Sequence, residues 1–328
     1  MSPHQTAAMV VTEHGGPDVL QVRQRPVAEP GPGQLLVRVA AAGVNFVDIY
    51  QREGVYPVPT PYVLGNEGAG TVEAIGTGVR QAGIGDRVAW SQTLGSAAGL
   101  ALIPESDTVP VPDSVSDEDA AAVLLQGMTA HYLLNSTYPV QPGDAVLVHA
   151  AAGGVGQLLV QLARAKGALV IATTSTAAKA AKARALGAQH VLDYTDIDDL
   201  AAAVRELTGG VGVAAVYDGV GKTTFDASLR SLRPRGTLAL FGAASGQVPP
   251  VDLQRLNAGG SLFVTRPSLG HYIASRDELL LRGNEILAAV GDGRLRVEIG
   301  GRYPLADAGQ AYADLTGRRS TGKLLLIP

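Results

Sequence analysis

A short glycine loop in the middle of the chain carries the most specific chemical signal in the sequence. Residues 150–156 read Ala-Ala-Ala-Gly-Gly-Val-Gly and stand directly between a predicted strand, residues 145–149, and a predicted helix. Ala151, Gly153 and Gly156 reproduce the spacing G-x-G-x-x-G with alanine at the first position. Small residues at this spacing let backbone N–H groups at a helix start approach a pyrophosphate. The loop therefore predicts dinucleotide binding, with a plain glycine turn as the alternative. The residues predicted to contact the pyrophosphate are Gly153, Gly154, Val155 and Gly156.

The segment after the next predicted strand indicates which dinucleotide binds. Proteins that bind NAD usually place an acidic residue there, roughly 20 residues beyond the glycines, to bind the ribose 2′-OH. Here residues 173–179 read Thr-Thr-Ser-Thr-Ala-Ala-Lys, with hydroxyl groups and a lysine but no carboxylate. A cation and hydroxyl donors attract a 2′-phosphate, whereas a carboxylate repels it, so the segment predicts NADPH. The alternative for Lys179 is an ordinary solvated position on a helix.

The composition excludes several other kinds of chemistry. The chain of 328 residues has no cysteine, so it has no disulfide, no cysteine-ligated zinc or iron–sulfur cluster and no thiolate nucleophile. Its six histidines are scattered singly, which predicts no metal site. The net charge of −4 is the wrong balance for a protein that binds nucleic acid or an anionic membrane. We therefore expect a small-molecule partner.

No targeting segment or membrane span is predicted. Residues 1–11 lack a basic segment followed by an apolar stretch. The longest apolar region, residues 145–165, is interrupted by His149, several glycines and Arg164. The expected location is the cytoplasm.

The elements that must position these residues change in character along the chain. The first third shows short strand patterns at residues 19–25, 35–40, 68–75 and 87–90, and a helical pattern begins at Asp117. From Asp144 onward, short apolar strands alternate with helices that end at glycines. Such alternation predicts right-handed βαβ units, a parallel sheet and an α/β fold with a domain boundary near Gln126. The last segment has no glycine loop of its own and is expected to return to the first domain.

Several further segments make the chain resemble a known family. They are Gly43 to Tyr50, Leu64 to Gly70, Gly127 to Tyr132, Ala150 to Gly156, Tyr217 to Gly221, Gly260 to Pro267 and Thr321 to Lys323. Together they are similar to the zinc-independent quinone oxidoreductases, or zeta-crystallin-like group, of the medium-chain dehydrogenase/reductase superfamily. The resemblance implies a GroES-like β-rich catalytic domain from residues 1–126 and 268–328. It also implies an inserted Rossmann domain with a doubly wound parallel sheet, residues 127–267, and a cleft that holds NADPH.

The resemblance also implies roles for individual residues. The 2′-phosphate contacts would fall on Ser175, Lys179, Tyr194 and Arg318. Asn45 and Thr129 would lie near the nicotinamide and its ribose, and Val264 along the nicotinamide pocket. Phe241 and Gly242 would lie near the central part of the cofactor, and Tyr50 and Tyr56 would line the substrate side. Tyr56 and Phe241 have the alternative of being simple packing residues.

The chain departs from the superfamily pattern at three places. Zinc alcohol dehydrogenases have a histidine followed by a glutamate where this chain has Asn66 and Glu67, which together with the lack of cysteine predicts no catalytic zinc. In the segment from Ser91 to Leu102, relatives commonly have Gly-Ala-Tyr-Ala-Glu, whereas this chain reads Gly-Ser-Ala-Ala-Gly at residues 95–99, so substrate preference is expected to differ. Gln126 stands where many relatives have a lysine.

The expected reaction is hydride transfer from NADPH to a quinone. A quinone is already electron-poor, so the protein has to hold it at near-attack distance, about 3 to 3.5 Å, and needs no metal. We expect Asn45, Tyr50 and Tyr56 to orient the acceptor. Reduction of an activated carbon–carbon double bond in an enal, enone or enoyl thioester is the first alternative. A binding protein that holds NADPH, is crystallin-like or contacts RNA is the second.

An apolar segment also predicts self-association. Residues 262–265 read Leu-Phe-Val-Thr and would form a strand at one edge of the nucleotide-binding sheet. An exposed apolar edge strand is a liability that a two-fold related copy can cover. The sequence therefore predicts a homodimer through this edge.

Overall fold

The computed structural model describes residues 4–317 and 321–328. The chain divides into two compact units: unit 1 is Met1–Met128 with Ile273–Pro328, and unit 2 is Thr129–Tyr272. Both ends of the chain therefore belong to unit 1, and unit 2 is one continuous insertion. Arg318, a predicted phosphate contact, lies outside the described residues.

Strands dominate unit 1 and alternate with helices in unit 2. In chain order the strands are β1 (His4–Val11), β2 (Leu20–Val27), β3 (Gln34–Gly43), β4 (Tyr62–Val63), β5 (Glu67–Ile75), β6 (Arg87–Ser91), β7 (Leu100–Pro104), β8 (Thr108–Pro110), β9 (Ala145–Val148), β10 (Leu169–Thr174), β11 (His190–Asp193), β12 (Val213–Asp218), β13 (Leu232–Leu240), β14 (Phe263–Thr265), β15 (Ile299–Pro304) and β16 (Lys323–Ile327). The α-helices are α1 (Phe46–Arg52), α2 (Asp117–Tyr132), α3 (Gly154–Ala165), α4 (Ala177–Ala185), α5 (Leu200–Leu207), α6 (Phe225–Ser231), α7 (Gln254–Ala258), α8 (Leu269–Tyr272), α9 (Arg276–Gly291) and α10 (Ala308–Thr316).

In the described part of unit 1, β3 lies at the centre of the larger sheet. The strand order is β15-β16-β3-β5-β6-β8, and β7 also pairs with β3. Leu35, Leu36 and Val37 of β3 follow one another and none is exposed. Because successive residues of a strand point to opposite faces, both faces of β3 are covered. A smaller sheet of order β2-β1-β4 contributes Met9 and Val11 to the same core as Leu35 and Trp90.

Unit 2, all of which the structure describes, has a six-stranded parallel sheet. Its order is β11-β10-β9-β12-β13-β14, and every neighbouring pair is parallel. The chain starts in the middle at β9, runs outward through β10 and β11, and then returns to the other side with β12. The predicted α/β fold class is confirmed. In such sheets ligands bind at the carboxyl ends of the strands where the order reverses, which here is between β9 and β12.

Two tyrosines bring the ends of unit 2 together. The rings of Tyr132, on α2, and Tyr272, on α8, are stacked with centroids 4.2 Å apart and planes 5° from parallel. The Tyr272 hydroxyl also accepts a hydrogen bond from Thr137 at 3.2 Å. The first and last residues of the insertion therefore lie close to one another.

The helices of the described residues differ in length and burial, and none of them has both the length and the apolar character that crossing a membrane requires.

Candidate functional site

The predicted phosphate loop joins β9 to α3 through close backbone approach. Gly153 is the N-cap of α3, and no side chain caps the helix. A Cβ atom on Gly156 would lie 2.8 Å from the Cα of Ala151 and closer still to the carbonyl oxygen of Ala150. Glycine at position 156 therefore allows α3 to begin directly against the loop, with its first N–H groups available to an anion. This close turn from strand to helix is typical of pyrophosphate-binding loops, and binding by these residues stays a prediction.

The turn into the loop occurs one residue before the glycine pattern begins. Ala150 lies in the left-handed region with φ of 51°, which is uncommon for a residue with a side chain. Ala151, the first position of the pattern, does not share this conformation, and its N–H donates to the carbonyl oxygen of Thr173 at 3.1 Å. Alanine is therefore tolerated at the first position because the left-handed turn lies at Ala150.

A buried chain of side-chain hydrogen bonds lies at the carboxyl ends of the central strands of unit 2. His149, directly after β9, has Nδ1 3.0 Å from Thr173 Oγ1 and Nε2 3.0 Å from Ser228 Oγ. Ser228 donates in turn to Asp218, at the end of β12, at 2.8 Å. Burial lowers the pKa of His149, so the ring is neutral. The bonds are all satisfied when Nε2 carries the proton and Thr173 donates to Nδ1.

Asp218 is the acceptor at which this chain ends. Its carboxylate is completely buried and also accepts from the backbone N–H of Val220 at 2.8 Å and of Gly221 at 3.0 Å. Thr224 donates to both carboxylate oxygens, at 2.9 and 2.7 Å. Asp218 therefore ties the turn after β12 to α6, and through Ser228 and His149 it ties both to the start of the phosphate loop.

The predicted 2′-phosphate contacts in unit 2 lie at two neighbouring strand ends. Thr174, the last residue of β10, pairs in register with Asp193, the last residue of β11. Ser175 and Tyr194 directly follow these residues, and the Tyr194 N–H donates to the Thr174 carbonyl oxygen at 3.2 Å. Lys179 lies in the first turn of α4 and is half-buried. The structure therefore brings Ser175 and Tyr194 to one edge of the sheet with Lys179 one helical turn away.

Phe241 and Gly242 lie where β12 and β13 end side by side. The N–H groups of Phe241 and Gly242 both donate to the carbonyl oxygen of Asp218, at 2.9 and 3.3 Å. A Cβ atom on Gly242 would lie 2.8 Å from the Cα of Gly219 and closer still to its carbonyl oxygen. The two strand ends therefore meet backbone to backbone, which requires glycine at 242.

Thr129 and Val264 are the remaining predicted cofactor contacts in unit 2. Thr129 is a buried residue of α2, and Val264 is the middle residue of the edge strand β14 with 38% of its surface exposed. The assignments of both residues to the cofactor stay predictions.

A second polar cluster, in unit 1, was not predicted as a unit. The Lys323 ammonium is 2.6 Å from Glu67 Oε2, 2.7 Å from Asn45 Oδ1 and 3.0 Å from Gln126 Oε1. All four side chains are buried, and Glu67 also accepts from the N–H of Leu125 at 2.7 Å. Burial lowers the pKa of Lys323, while the Glu67 carboxylate favours the charged ammonium. We call these four residues the lysine cluster.

The amide of Asn45 is fully occupied inside the lysine cluster. Its Nδ2 donates to the Gly43 carbonyl oxygen and to Glu67 Oε2, both at 3.0 Å. Its Oδ1 accepts from Lys323 and from Gln126. An amide has two donor hydrogens and one acceptor oxygen with two lone pairs, so nothing is left for a ligand. A direct bond from Asn45 to an acceptor, which stays a prediction, therefore requires one of these bonds to break.

Asp48, in the first turn of α1, and Asn66 form a further buried hydrogen-bonded set. Asn66 donates to Asp48 Oδ1 at 2.7 Å and to Gln51 Oε1 at 2.6 Å. Asp48 Oδ2 accepts from the Asn45 N–H and from the Tyr312 hydroxyl, both at 2.9 Å. Asn66 thus serves as a donor to a carboxylate at the position where the zinc enzymes have a histidine. Desolvation by complete burial raises the pKa of Asp48 to about 6, although its hydrogen bonds act in the opposite direction.

The raised pKa of Asp48 predicts a specific pH dependence of stability. Between about pH 4 and pH 6 the folded protein holds a proton that the unfolded chain has released, so the free energy of unfolding falls as the pH rises. At about 1.4 kcal/mol per pKa unit, this group contributes a fall of about 3 kcal/mol across the window. Asp48→Asn removes the titration, so its stability relative to the wild type should rise by that amount. Urea unfolding of both proteins at several pH values measures this difference, and parallel stability curves would contradict it.

Tyr50 and Tyr56 form an aromatic pair at the end of α1. Their ring centroids are 5.4 Å apart in an edge-to-face arrangement, and the Tyr56 N–H donates to the Tyr50 carbonyl oxygen at 3.0 Å. Tyr50 is half-buried, whereas 43% of the surface of Tyr56 is exposed. The structure therefore brings these two predicted acceptor contacts together as one aromatic surface.

The altered segment at residues 95–99 is an interior part of unit 1. Ala97 and Ala98 are buried, with their backbone bonded to β1 through Met9 N–H to Ala97 O at 2.8 Å and Gly99 N–H to Ala7 O at 3.0 Å. Small side chains here allow the segment to lie directly against β1. Its effect on substrate preference stays a prediction.

Two family models and several known proteins match this chain over most of its length. Residues 31–113 match the model of the alcohol dehydrogenase GroES-like domain, and residues 154–275 match the model of the zinc-binding dehydrogenases. A quinone oxidoreductase of Pseudomonas aeruginosa is 45% identical over 317 residues, which cover 96% of this chain and 97% of the relative. The chain belongs to the zinc-independent quinone oxidoreductase family.

Other members of the family extend the comparison. A solved mycobacterial structure in complex with NADPH is 53% identical, covers 98% of this chain and 100% of its own, and has a TM-score of 0.95. A 2-haloacrylate reductase of a Burkholderia species is 42% identical over 329 residues, which cover 98% of this chain and 98% of the relative. The family therefore includes proteins named as quinone oxidoreductases and a protein named as a 2-haloacrylate reductase.

The second family model is that of zinc-binding dehydrogenases, but the described part of this chain holds no equivalent set of zinc ligands. Within residues 4–317 and 321–328, no three or more histidine, cysteine, aspartate or glutamate side chains are grouped to hold a metal ion. Asn66 is bound to Asp48, and Glu67 is bound to Lys323. These two polar groups already have protein partners.

Proposed function

We propose that this protein is an NADPH-dependent quinone reductase that works without a metal ion. The observation that carries the proposal is the first turn of α3, where Gly156 packs against the loop, together with a segment after β10 that has hydroxyls and Lys179 but no carboxylate. The name of the Pseudomonas aeruginosa relative and the NADPH in the mycobacterial structure support it. When bound, NADPH supplies a hydride, and a proton completes the two-electron reduction of a quinone to a hydroquinone.

Three groups of residues are proposed to hold the cofactor. The loop N–H groups bind the pyrophosphate, the strand ends after β10 and β11 bind the 2′-phosphate, and the ends of β12 and β13 lie along its central part. The pyrophosphate residues are Gly153, Gly154, Val155 and Gly156, and the 2′-phosphate residues are Ser175, Lys179, Tyr194 and Arg318. The remaining cofactor contacts are Phe241, Gly242, Asn45, Thr129 and Val264.

The acceptor is proposed to meet the aromatic pair of unit 1. Tyr50 and Tyr56 offer ring surface for stacking and hydroxyl groups for hydrogen bonds, which orient a flat quinone and exclude water. The hydroxyl of Tyr56, a partly exposed residue, or a solvent molecule donates the proton. Asn45 acts from within the lysine cluster, at the start of the helix that carries Tyr50. No Lewis acid is required because a quinone is electron-poor before it binds.

Lys179→Ala should impair the use of NADPH and leave the use of NADH unchanged. Loss of one charge-assisted hydrogen bond to a phosphate costs about 1.5 to 3 kcal/mol, so the KM for NADPH should rise by about tenfold or more. Initial rates with each cofactor at saturating quinone measure the effect. Arg184→Ala is the matched control, since it removes the same charge from the opposite end of α4, and its KM should stay within about twofold. An equal loss for both cofactors in Lys179→Ala would contradict the assignment.

The proposed function is tested by initial-rate kinetics with NADPH and NADH across quinones and enones. Reduction of an activated carbon–carbon double bond is the second candidate, and the 2-haloacrylate reductase at 42% identity favours it. Faster turnover of benzoquinones than of enones supports the first candidate, and the reverse order supports the second. NADPH binding without turnover of any acceptor would overturn both and indicate a binding protein, crystallin-like or RNA-contacting.

The assembly and location of the protein belong to the same proposal. We assign catalysis to residues 1–126 and 268–328 and cofactor binding to residues 127–267. A homodimer would form through β14, because Phe263 of this edge strand is 61% exposed and a two-fold copy would cover it. A monomer mass in light scattering at micromolar concentration would contradict the dimer. The proposed location is the cytoplasm, with small molecules rather than nucleic acid or membrane as partners.

A further inference from the structure

The lysine cluster joins four parts of unit 1 around one buried ammonium. Lys323 begins β16, Glu67 begins β5, Gln126 lies on α2, and Asn45 immediately precedes α1. The ammonium has an oxygen of each of the other three residues within 3.0 Å. It therefore uses all of its donor capacity inside the protein.

Stability alone does not account for such a cluster. Burying an ammonium and a carboxylate costs several kcal/mol per ion, and a well-packed apolar pair of similar size is often as stable or more stable. What an apolar pair cannot do is fix the orientation of an amide. An ammonium only donates and a carboxylate only accepts, so Asn45 must turn Oδ1 to Lys323 and Nδ2 to Glu67.

The backbone beside the cluster leaves room for this arrangement. A Cβ atom on Gly43 would lie 2.8 Å from Lys323 Cε, 2.7 Å from the Ala121 carbonyl oxygen and closer still to Glu67 Oε2. Glycine at this position lets the lysine stem and the carboxylate pack directly on β3. The Gly43 carbonyl oxygen then accepts the second hydrogen of the Asn45 amide, at 3.0 Å.

Asn45 connects the lysine cluster to the helix that carries Tyr50. It is the N-cap of α1, the seven-residue helix that carries Tyr50. Its side chain is held by Lys323, Glu67 and Gln126, and its backbone N–H is held by Asp48 at 2.9 Å. Bonds to the side chain and to the backbone of Asn45 thus both fix the position of the first turn of α1. Tyr50 and Tyr56 follow Asn45 within eleven residues.

We propose that Lys323 is a positioning residue of the reductase, which holds Asn45 and so presents Tyr50 and Tyr56 to the acceptor in one orientation. The inference rests on the proposed function of these tyrosines. Asn45 is also a proposed cofactor contact, but the proposed pyrophosphate and 2′-phosphate contacts are other residues, so removal of the ammonium should lower kcat/KM for the acceptor far more than it lowers the affinity for NADPH.

Variants that remove or relocate the ammonium charge of Lys323 test the proposal. For each variant, kcat and KM for a benzoquinone and the Kd for NADPH are measured. Lys323→Met leaves Glu67 unpaired and can lower folding yield, so two double variants carry the test. Glu67→Gln with Lys323→Met removes both charges. Gln126→Lys with Lys323→Met returns an ammonium to the cluster from the opposite side, since Gln126 already reaches Asn45 and contacts the ammonium. Urea unfolding establishes that each variant is folded at the assay temperature.

The expected result is that the uncharged double variant loses about tenfold or more in kcat/KM for the quinone while the Kd for NADPH stays within about twofold. The variant with the relocated ammonium should recover to within about threefold of the wild type. Arg302→Met, which breaks the exposed ion pair of Arg302 with Glu118 in the same unit, is the control and should match the wild type.

Two results would overturn the inference alone. One is wild-type kcat/KM in the uncharged variant, and the other is an equally large loss in the folded variant with the relocated ammonium. An equally large loss of NADPH affinity would also overturn the inference, because it would show that Lys323 supports the structure in general and does not position the acceptor contacts. A wild-type protein that reduces neither quinones nor enones overturns the proposed function, and the inference with it.

Discussion

Gly156→Ala should lose NADPH affinity by about a hundredfold, because the added methyl group pushes α3 away from its loop. The Cβ would lie 2.8 Å from the Cα of Ala151 and closer to the Ala150 carbonyl oxygen, and both are backbone atoms that cannot rotate away. Misplacing one or two N–H donors to a phosphate costs about 1.5 to 3 kcal/mol each. Overpacking should lower the free energy of unfolding by about 1 to 3 kcal/mol as well.

Fluorescence titration with NADPH and urea unfolding measure the two effects separately. Gly309→Ala is a matched control, because no heavy atom lies within 4 Å of an added Cβ at this position in α10. It should leave the Kd unchanged and raise the free energy of unfolding by about 0.5 to 1 kcal/mol. A Kd for Gly156→Ala within about threefold of the wild type would show that α3 does not bind the pyrophosphate.

Asp218→Ala should lower the free energy of unfolding by about 3 kcal/mol or more. The carboxylate accepts bonds from Val220, Gly221, Thr224 and Ser228 in a completely buried place, and each donor left without an acceptor costs about 1 to 3 kcal/mol. The same change frees Ser228 and therefore His149, so NADPH binding should weaken too. Urea unfolding followed by circular dichroism measures the loss.

Two further variants separate hydrogen bonding from packing at this site. Asp218→Asn keeps the size of the side chain but replaces an acceptor oxygen with a donor, so it should lose much of the same stability. Wild-type stability in Asp218→Asn would show that the charge and the second acceptor oxygen contribute nothing to stability. Asp226→Ala breaks an ion pair with Arg255 in which the Asp226 side chain is 74% exposed, and it should cost no more than about 1 kcal/mol.

The parts of the fold that could be predicted depend on local pattern. The glycines before α3, the lack of a carboxylate after β10 and the strand–helix alternation of unit 2 are each visible within about thirty residues, the length of one βαβ unit. The parallel pairing then follows because short crossovers between strands are right-handed. Asn45 and Asp48, three residues apart, also have the spacing of a helix cap, so α1 could have been predicted from them.

The lysine cluster shows why the rest could not be predicted. Lys323 meets Glu67 across 256 residues of sequence and Asn45 across 278, and no local pattern connects residues so far apart. A lysine at the start of a strand is usually solvated, and only the converging backbones of β3, β5 and β16 bury this one. For the same reason the sequence could suggest Asn45 as an acceptor contact without showing that its amide is already occupied.

The stacked rings of Tyr132 and Tyr272 have a consequence for the order in which the protein assembles. For unit 1, the whole insertion is a loop whose ends must be brought together, and closing a flexible loop of about 140 residues costs about 4 kcal/mol in chain entropy. In a folded unit 2 these rings lie 4.2 Å apart, so the two ends of the insertion are already close together. If unit 2 folds first, the folding of unit 1 no longer includes the entropic cost of closing this loop. The two sequence segments of unit 1 then associate over a short connection instead of a long flexible one.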